Sequence, residues 1–478
     1  MVQLTKSSRI FAAIALSSTM TTSVMAVRAA EPALTPLTAF AMALKQTPQM
    51  VQSRARIAEA QGAVKSAKGH LLPSLSASLT ASASDNALNV FGMKLQQRKA
   101  TFNDFGANQF DITNPNVLSV APTNLNEPGW YRNYETKLQL NIPIYNGGQI
   151  LGGLHQAQAM LSAAHAGQVM ARQKLLFEVL RLYEGVRTAN GYVRAGQQGV
   201  QAAQSYVDLT HKLLNRGVVA KTDVLQARIH LDDAKLGLAE AEKRQALATT
   251  GLRILTGLPD DKPIQLTPRV LELVVPSSDL PKLKRDALLS NPGLQALNYR
   301  VRAAQAGVTQ ARAAYLPHFN VMLSHQWDDN KLAFASSSST IAGVLSWDVF
   351  DFGTRSGALD RAHAGVIQGR SALRQAQNQL RLKIDQAWQE VRLARKRLKL
   401  KHDAVTDARE AARLARLRYA QGLETFTQLI GTQAALDKAR ADVIAARYQQ
   451  VMAQAGLLLA SGRLEPATIQ LTAAPVSQ

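Results

Sequence analysis

Cysteine is absent from all 478 residues of the chain, which excludes a disulfide framework and a lipid attached through an N-terminal cysteine. Beyond residue 24 there is no apolar run of about 20 residues, the length that a membrane-spanning helix requires. Acidic residues are few, 34 against 55 Lys and Arg, so the formal net charge is +21. What is present is a basic chain in which 46% of the residues are apolar, enough for a large core.

The N-terminus has the three parts of a secretory signal peptide: basic residues, an apolar run, and small residues at a cleavage site. These parts are Lys6 and Arg9, Ile10–Val24, and Ala26 with Ala29. We predict a signal peptide over 1–29, with cleavage after Ala26 as the alternative. Removal of the three basic residues of the signal peptide would leave the exported chain with a net charge of 21 − 3 = +18. Without a spanning helix, this chain can enter a membrane only through β-strands of about ten residues.

The chain contains two similar halves. "GAVKSAKGHLLP", ending at Pro73, resembles "AGVTQARAAYLP", ending at Pro317, with an offset of 317 − 73 = 244. "IPIYNGG", ending at Gly148, resembles "WDVFDFG", ending at Gly353, with an offset of 353 − 148 = 205. A unit of about 200 residues is too long for a solenoid, so we predict two equivalent structural repeats, 30–257 and 282–464. A proline-rich connector, 258–281, joins them, and a tail, 465–478, follows.

Each repeat contains two segments in which apolar and polar residues alternate, the pattern of membrane β-strands. In the first repeat we predict strands at about 74–83 and 132–145, and in the second at about 318–326 and 338–350. Aromatic residues lie near several strand ends, as in a membrane girdle: Trp130, Tyr131, Tyr145, Trp327, Trp347 and Phe350. Ordinary β-hairpins with aromatic ends remain the alternative.

Long helices follow the second strand of each repeat. No proline occurs between Gly148 and Asn215, and about 68 residues at 1.5 Å each make a rod of roughly 100 Å. Apolar residues recur there every seven positions, which predicts left-handed supercoiling: Val179, Val186, Val193, Val200, Val207 and Leu214. Each rod ends near a glycine, Gly217 or Gly422, which suits the left-handed residue after a helix. Helices then return over about 224–257 and 426–462.

The two offsets differ by 244 − 205 = 39, and the excess lies in the first hairpin, over 85–129. This Asn-rich segment has three prolines, and membrane barrels place their long loops outside the cell. We therefore predict an enlarged external loop, either partly folded over a pore or disordered.

Four strands cannot close a membrane barrel, because the smallest known forms have eight. Open sheet edges are not tolerated in lipid. The strands must therefore be shared between chains. Two chains would give eight strands, with the interior filled by side chains, and three would give twelve, wide enough for a lumen.

The signal peptide, the duplicated unit, "YLP" at 315–317, "GG" at 147–148 and "DFG" at 351–353 together resemble the TolC-type outer-membrane efflux family. The resemblance covers about residues 34–464 and includes "FGMKLQQR" at 91–98. It implies a mostly α-helical fold with membrane β-structure: a homotrimer whose twelve-stranded barrel in the outer membrane continues into a long periplasmic α-helical barrel. It also implies a passive duct, without cofactor, that serves a periplasmic adaptor (membrane fusion) protein and an inner-membrane pump.

The resemblance also points to the periplasmic tips, where family members close the entrance through polar links. Asp223 matches an acidic position in such links, but the expected basic partner is Glu424 here, and two acids repel each other. The family's ring of acidic residues at the entrance would fall at Gln428 and Gly431, neither of which is acidic, so this entrance lacks the ring. The hypothesis kept is that the tips dock the adaptor through Arg216, Gly217, Val218, Asp223, Gln421, Gly422, Leu423, Glu424 and Gln428.

Other function classes find little support in the sequence. The nine histidines show no metal-binding spacing, no phosphate-binding loop exists, and no catalytic constellation is recognisable, so we predict neither an enzyme nor a metal site. The basic run "RLARKRLKLK", 392–401, is interpreted as a solvated helix face rather than a nucleic-acid site. Small-molecule efflux is favoured, with type I protein secretion and a soluble periplasmic coiled-coil scaffold as alternatives.

Overall fold

A computed structural model describes residues 33–275 and 279–472; the predicted signal peptide, 1–29, lies outside the described residues. The first repeat has two helices, a β-hairpin with a long inserted segment, a very long helix and a return helix. In chain order these are α1 (Pro36–Gln46), α2 (Pro48–Gly69), β1 (Ser74–Ser84), α3 (Ala87–Gln96), α4 (Thr123–Asn126), β2 (Tyr131–Tyr145), α5 (Gln149–Asn215) and α6 (Lys221–Thr256).

The second repeat follows the same order after a short strand. Its elements are β3 (Val270–Leu273), α7 (Leu280–Ser290), α8 (Pro292–Ala313), β4 (His318–Asp329), β5 (Ser336–Ser346), α9 (Thr354–Ala420), α10 (Phe426–Ala460) and β6 (Ile469–Thr472). The return helix α6 begins at Lys221, three residues before the predicted Val224, because Ala220 is its N-cap.

The two long helices, α5 and α9, have 67 residues each. Val179, Val186, Val193 and Val207, four of the heptad positions in α5, are buried. Small residues three positions further on allow close contact: a Cβ added at Gly196 would lie 3.2 Å from Leu238 Cδ1 of α6. In the half nearer the sheet α5 packs against α2 and α8, and α8 packs against α9. In the other half α5 packs against α6 and α10, and α10 against α9.

The main core lies midway along α5, where Leu175, Leu176, Val179 and Leu180 are buried against α1, α10 and a small sheet. That sheet pairs β3 with β6, antiparallel, with Leu271 opposite Leu471. Neither strand is predicted from the sequence. β3 belongs to the predicted connector and β6 to the predicted tail, so both segments contribute to the core rather than only linking or following the repeats.

The large sheet has four antiparallel strands in the order β1-β2-β4-β5. Residues directly opposite each other share one face of a sheet, and one row of opposite residues is Leu75, Leu140, Leu323 and Ile341. The neighbouring row on the other face is Ser76, Gln139, Ser324 and Thr340. The alternation predicted for the strands therefore gives one apolar and one polar face.

The fourth strand is shorter than predicted. β5 ends at Ser346, although the sequence pattern continues to about residue 350. Its counterpart β2 continues to Tyr145 and pairs with both β1 and β4. β5 pairs only with β4 in the described chain. The residues after Ser346 therefore lack a second strand against which to extend.

The inserted segment, 85–129, is folded, so the alternative of disorder is wrong. Gln97 is buried, and its side-chain amide donates to Arg132 O and to Asn133 Oδ1, each at 2.9 Å. Ser336 Oγ of β5 donates to Gln97 O at 2.7 Å. Lys99 Nζ donates to Asn330 Oδ1 at 2.8 Å and forms an ion pair with Asp329. These contacts attach the segment to the end of the sheet farthest from the long helices.

Within the described ranges, 33–275 and 279–472, no helix combines the length and the apolar character needed to cross a membrane.

Candidate functional site at the tips of the long helices

The turn after α5 is a helix-ending motif that needs a glycine. Gly217 has φ +71°, and its N–H donates to Leu214 O at 2.9 Å. Val218 N donates to Leu213 O at 3.0 Å. This pair of bonds satisfies two carbonyls at the helix end, and it requires a residue in the left-handed region. The local sequence thus fixes the direction in which the chain leaves α5.

The turn after α9 repeats the same geometry at the equivalent position of the second repeat. Gly422 has φ +75°, its N–H donates to Tyr419 O at 3.0 Å, and Leu423 N donates to Arg418 O at 2.9 Å. The two turns also touch: a Cβ added at Gly422 would lie 3.2 Å from Val218 Cγ1. The predicted tip residues of the two repeats are therefore brought together in one chain.

The return helices begin differently after these turns. Thr425 is the N-cap of α10, and its hydroxyl accepts from Gln428 N at 3.2 Å. The equivalent residue of α6, Ala220, has no side chain that can do this. Asp223 instead lies in the first turn of α6, where its carboxylate interacts favourably with the helix dipole.

Most of the predicted tip residues are accessible. Arg216, Gly217 and Val218 are exposed in the first turn, and Asp223 is half-buried. In the second turn Gln421, Gly422, Leu423 and Gln428 are exposed, and Glu424 is half-buried. Val218 and Leu423, at equivalent positions, present apolar side chains to solvent. The tip therefore combines an apolar pair with charged and amide groups around it.

A buried cluster beneath the turns holds the four helices together. It includes Leu213 of α5, Leu231 of α6, Tyr419 of α9, and Phe426 and Leu429 of α10. The rings of Tyr419 and Phe426 have centroids 5.6 Å apart. Both repeats contribute to the cluster, so the two turns are carried on one packed unit rather than on independent hairpins.

Tyr419 is a site residue that the sequence analysis did not single out. Its side chain is buried, and its hydroxyl has no hydrogen-bond partner within the described ranges. Burial raises the pKa of Tyr419, and the nearby carboxylate of Asp223 raises it further. The hydroxyl thus stays neutral and faces an acid from the other repeat. The heptad pattern places Tyr419 on the helix seam, but no local signal pairs it with Asp223.

A second polar contact joins the repeats one level deeper. Tyr206 Oη of α5 donates to Gln433 Oε1 of α10 at 2.7 Å, and Gln433 Nε2 donates to Asp437 Oδ1 at 3.0 Å. Tyr206 and Gln433 are both buried, so this bond forms away from water. Burial raises the pKa of Tyr206, which keeps its hydroxyl available as a donor.

An open groove of about 470 Å³ runs between α6 and α10 next to the tip. Its walls are apolar at Ile229 and Ile430 and polar elsewhere, and Gly431 contributes no side chain. The other lining residues are Gln226, His230, Asp233 and Thr427. The part of the chain that the structure describes has no group of three or more His, Asp or Glu placed to hold a metal ion.

Comparisons with known proteins agree with this architecture. The model of the outer membrane efflux protein family matches residues 40–258 and 283–463. Protein CyaE of Bordetella pertussis is 27% identical over 73% of this chain and 74% of its own length. Outer membrane efflux protein BepC of Brucella suis is 25% identical over 68% and 72%. Alkaline protease secretion protein AprF of Pseudomonas aeruginosa is 24% identical over 72% and 73%.

Among solved structures, CusC superposes with a TM-score of 0.75 at 15% sequence identity, covering 89% of this chain and 91% of CusC. That likeness supports the fold. The match of the family model to both repeats confirms the resemblance predicted from the sequence and the outer-membrane location that it implies. The chain belongs to the outer membrane efflux protein family.

Proposed function

We propose that three copies of this chain form the outer-membrane duct of a tripartite efflux system. In this proposal each copy contributes its four strands to a twelve-stranded barrel and its long helices to a periplasmic α-helical tunnel. The duct is passive, and its substrates are small molecules driven outward by an inner-membrane pump through a periplasmic adaptor.

The observation that carries the proposal is the sheet with one apolar and one polar face, whose two edge strands, β1 and β5, pair with no further strand of the described chain. Leu75, Leu79, Ile341 and Leu345 share the apolar face, and each is more than half exposed in the isolated chain. Serine, asparagine and glutamine side chains dominate the opposite face. An apolar outside and a polar inside are what a barrel in lipid requires, and sharing strands removes the open edges.

A soluble periplasmic scaffold, the alternative left open by the sequence, is less compatible with this sheet. No described part of the chain covers the apolar face, and such a face would have to remain in water. Membrane fractionation separates the two functions: a duct stays with the outer membrane and runs as heat-modifiable trimers, whereas a scaffold is released with the periplasm.

Ion conduction tests the duct itself. Purified protein in planar lipid bilayers should produce discrete conductance steps, because a continuous polar lumen passes ions. Protein that inserts as trimers but never conducts would contradict the proposal.

The tip is proposed as the adaptor-docking surface. Val218→Cys and Leu423→Cys place thiols on the exposed apolar pair, and cross-linking in cells should join either to the adaptor. Ile254→Cys is the matched control, since Ile254 is also exposed but lies at the opposite end of α6. Equal cross-linking at all three positions, or none at the tips, would contradict docking there.

Protein secretion is the second candidate, favoured by the similarity to AprF, which is named for alkaline protease secretion. Deleting the gene separates the two. Loss of small-molecule resistance with an unchanged set of secreted proteins supports efflux. The reverse result supports secretion.

A further inference from the structure

The junction between β2 and α5 is packed against the second repeat of the same chain. Gly147 there has φ +60°. A Cβ at this position would lie 2.8 Å from Ala313 O and 2.8 Å from Leu316 Cβ, well inside van der Waals contact. The junction between α8 and β4 therefore fills the space beside Gly147, and no side chain fits.

The equivalent junction of the second repeat, between β5 and α9, is different. Phe352 occupies the position of Gly147, at the offset of 205, and has φ +52°. A left-handed backbone is unfavourable for any residue other than glycine. Its side chain is 92% exposed, and Phe350, whose ring centroid lies 4.6 Å away, is 72% exposed. A strained backbone thus presents two aromatic rings that no described residue covers.

The surrounding contacts hold this conformation in place. Arg355 donates from its backbone N–H at 2.9 Å and from Nε at 2.8 Å to Asp351 Oδ2. Gly353 N donates to Asp351 Oδ1 at 3.3 Å. Arg355 also donates to the carbonyls of Asp348 and Val349. Strain that persists because several bonds enforce it points to a role for the side chain that it displays.

The duplication identifies what should lie beside Phe352. In the first junction the neighbours are Ala313 and Leu316, and the offset of 244 relates them to Gly69 and Leu72. Leu72 is 64% exposed, and a Cβ at Gly69 would meet nothing within 4 Å. In the first junction Gly147 lies beside Ala313. In the equivalent contact the larger Phe352 would lie beside the smaller Gly69.

Within one chain this contact cannot form through the sheet. Leu72 precedes β1 and Phe352 follows β5, and these strands are the two edges of the sheet. Three strand spacings of about 4.8 Å separate the edges by roughly 14 Å. A second copy, placed so that its β1 lies beside β5, brings its own Leu72 to Phe352.

The strand registers follow the same two offsets. The pair Leu75–Leu140 of β1 and β2 corresponds to the observed pair Phe319–Leu345 of β4 and β5. Applied to the observed pair Leu140–Leu323, the offsets give Leu345 opposite Leu79 of the next copy. The observed pair Pro143–Asn320 likewise predicts that Asp348 lies opposite Ser76 of the next copy. Asp348 follows Ser346, so β5 would become longer once it is paired.

We infer that Phe352 is a subunit-contact residue, which docks with Phe350 on the exposed Leu71–Leu72 segment of the next copy. The contact is apolar. It would hold the junction after β5 in position between two copies, just as Ala313 and Leu316 hold the junction after β2 within one chain. The inference rests on the proposed trimer and specifies one of its three identical seams.

Cysteine cross-linking tests the contact without background, because the chain has no cysteine of its own. The double variant Phe352→Cys with Leu72→Cys, oxidised in outer membranes, should place most chains in linked dimers and trimers. Each single variant should give none. Phe352→Cys with Leu316→Cys is the matched control and should also give none, because the space beside Leu316 is taken by Gly147 of the same chain.

A second variant distinguishes contact from strain. Phe352→Gly should lower the temperature at which SDS-resistant trimers dissociate by several degrees, although it relieves the left-handed strain. Trimers of equal or greater heat stability would show that the ring contributes nothing to the seam and would overturn the inference.

The other outcomes are separable. In one outcome the trimers are intact, the cysteines at positions 352 and 72 stay unlinked, and a fluorophore attached to Phe352→Cys is quenched by brominated phospholipid. The ring would then face lipid, which would overturn this inference but not the proposed trimer. Wild-type chains that never form trimers would instead overturn the proposed function on which it rests.

Discussion

β2 and β5 are copies of one strand, yet β2 has 15 residues and β5 has 11. Both carry the alternation of apolar and polar residues, and both lead into a helix of 67 residues. The difference is that, among the strands of residues 33–275 and 279–472, β2 has neighbours on both sides, whereas β5 has one. Sequence pattern therefore decides which face of a strand is apolar, and the available partner decides where the strand ends. Equivalent positions of the two repeats also differ elsewhere in what surrounds them, and the filled site lies in the first repeat at the strand–helix junction but in the second repeat at the tip turns.

The largest expected effect is at the filled junction. Gly147→Val would add a β-branched side chain at a left-handed position where a Cβ already meets Ala313 O and Leu316. Left-handed strain and overpacking together should cost about 3–5 kcal/mol, with a large drop in the melting temperature of the helical circular dichroism signal.

The matched control is Phe352→Val, at the equivalent open junction. A monomeric fold should tolerate it with a change below about 1 kcal/mol. Equal losses for both variants would mean that the two junctions are filled alike, contrary to the comparison.

The two tip turns should differ by a smaller amount. A Cβ added at Gly217 meets nothing within 4 Å, whereas one added at Gly422 lies 3.2 Å from Val218 Cγ1. Gly217→Ala should therefore cost about 1 kcal/mol, from left-handed strain alone. Gly422→Ala should cost about 2 kcal/mol, because pressure on Val218 adds to the same strain.

Hydrogen exchange of the amides in the last turns of α5 and α9 measures both variants. Faster exchange for Gly217→Ala than for Gly422→Ala would contradict the contact between the turns.

Glu184 in α5 is the charged counterpart of Gln389 in α9. It is buried, and burial raises its pKa above the ordinary 4.5, although Arg187 and Arg447 partly offset this. A raised folded-state pKa means that the folded state binds the proton more tightly than the unfolded state. Stability is therefore lost as the pH rises from the ordinary value through the folded-state pKa.

Glu184→Gln copies the second repeat and should remove this slope. We expect a gain of about 1 kcal/mol at pH 7.5 and little change at pH 4, measured by denaturant unfolding at both pH values. A loss at pH 7.5 would show that the attraction of Arg187 and Arg447 exceeds the cost of burial.

The smallest expected effect concerns the return helices. Ala220 and Thr425 are equivalent N-caps, and only Thr425 accepts a hydrogen bond through its side chain. Ala220→Thr should stabilise the first turn of α6 by about 0.5–1 kcal/mol, and Thr425→Ala should destabilise that of α10 by a similar amount. Hydrogen exchange in these first turns should change in opposite directions, and a change of the same sign in both would contradict the assignment of the caps.

Features that depend on nearby residues were predictable from the sequence. Heptad spacing and the absence of proline predict α5 and α9, and Gly217 and Gly422 predict the turns that end them. Alternation predicts both faces of the large sheet. Features that depend on distant partners were not predictable. β3 and β6 are too short to show a period, and they pair across the whole second repeat.

The candidate site shows the same division. The sequence places Val218 and Leu423 at equivalent turns, but the contact between the turns, through Gly422, appears only when the two repeats pack. Tyr419 lies near Asp223 because α9 and α6 both pack into the buried cluster beneath the turns, and the sequence around either residue does not indicate the other. The end of β5 at Ser346 was not predicted either, because it depends on which strands lie beside β5, and within the described residues only β4 does.

We propose that the edge strands of separate copies pair to close the sheet. The test is the double variant Leu345→Cys with Leu79→Cys, oxidised in isolated outer membranes. Linked dimers and closed covalent trimers are expected, because the proposed register would place these positions opposite each other between copies. Chains that remain unlinked, while Leu140→Cys with Leu323→Cys links within each chain under the same conditions, would contradict it.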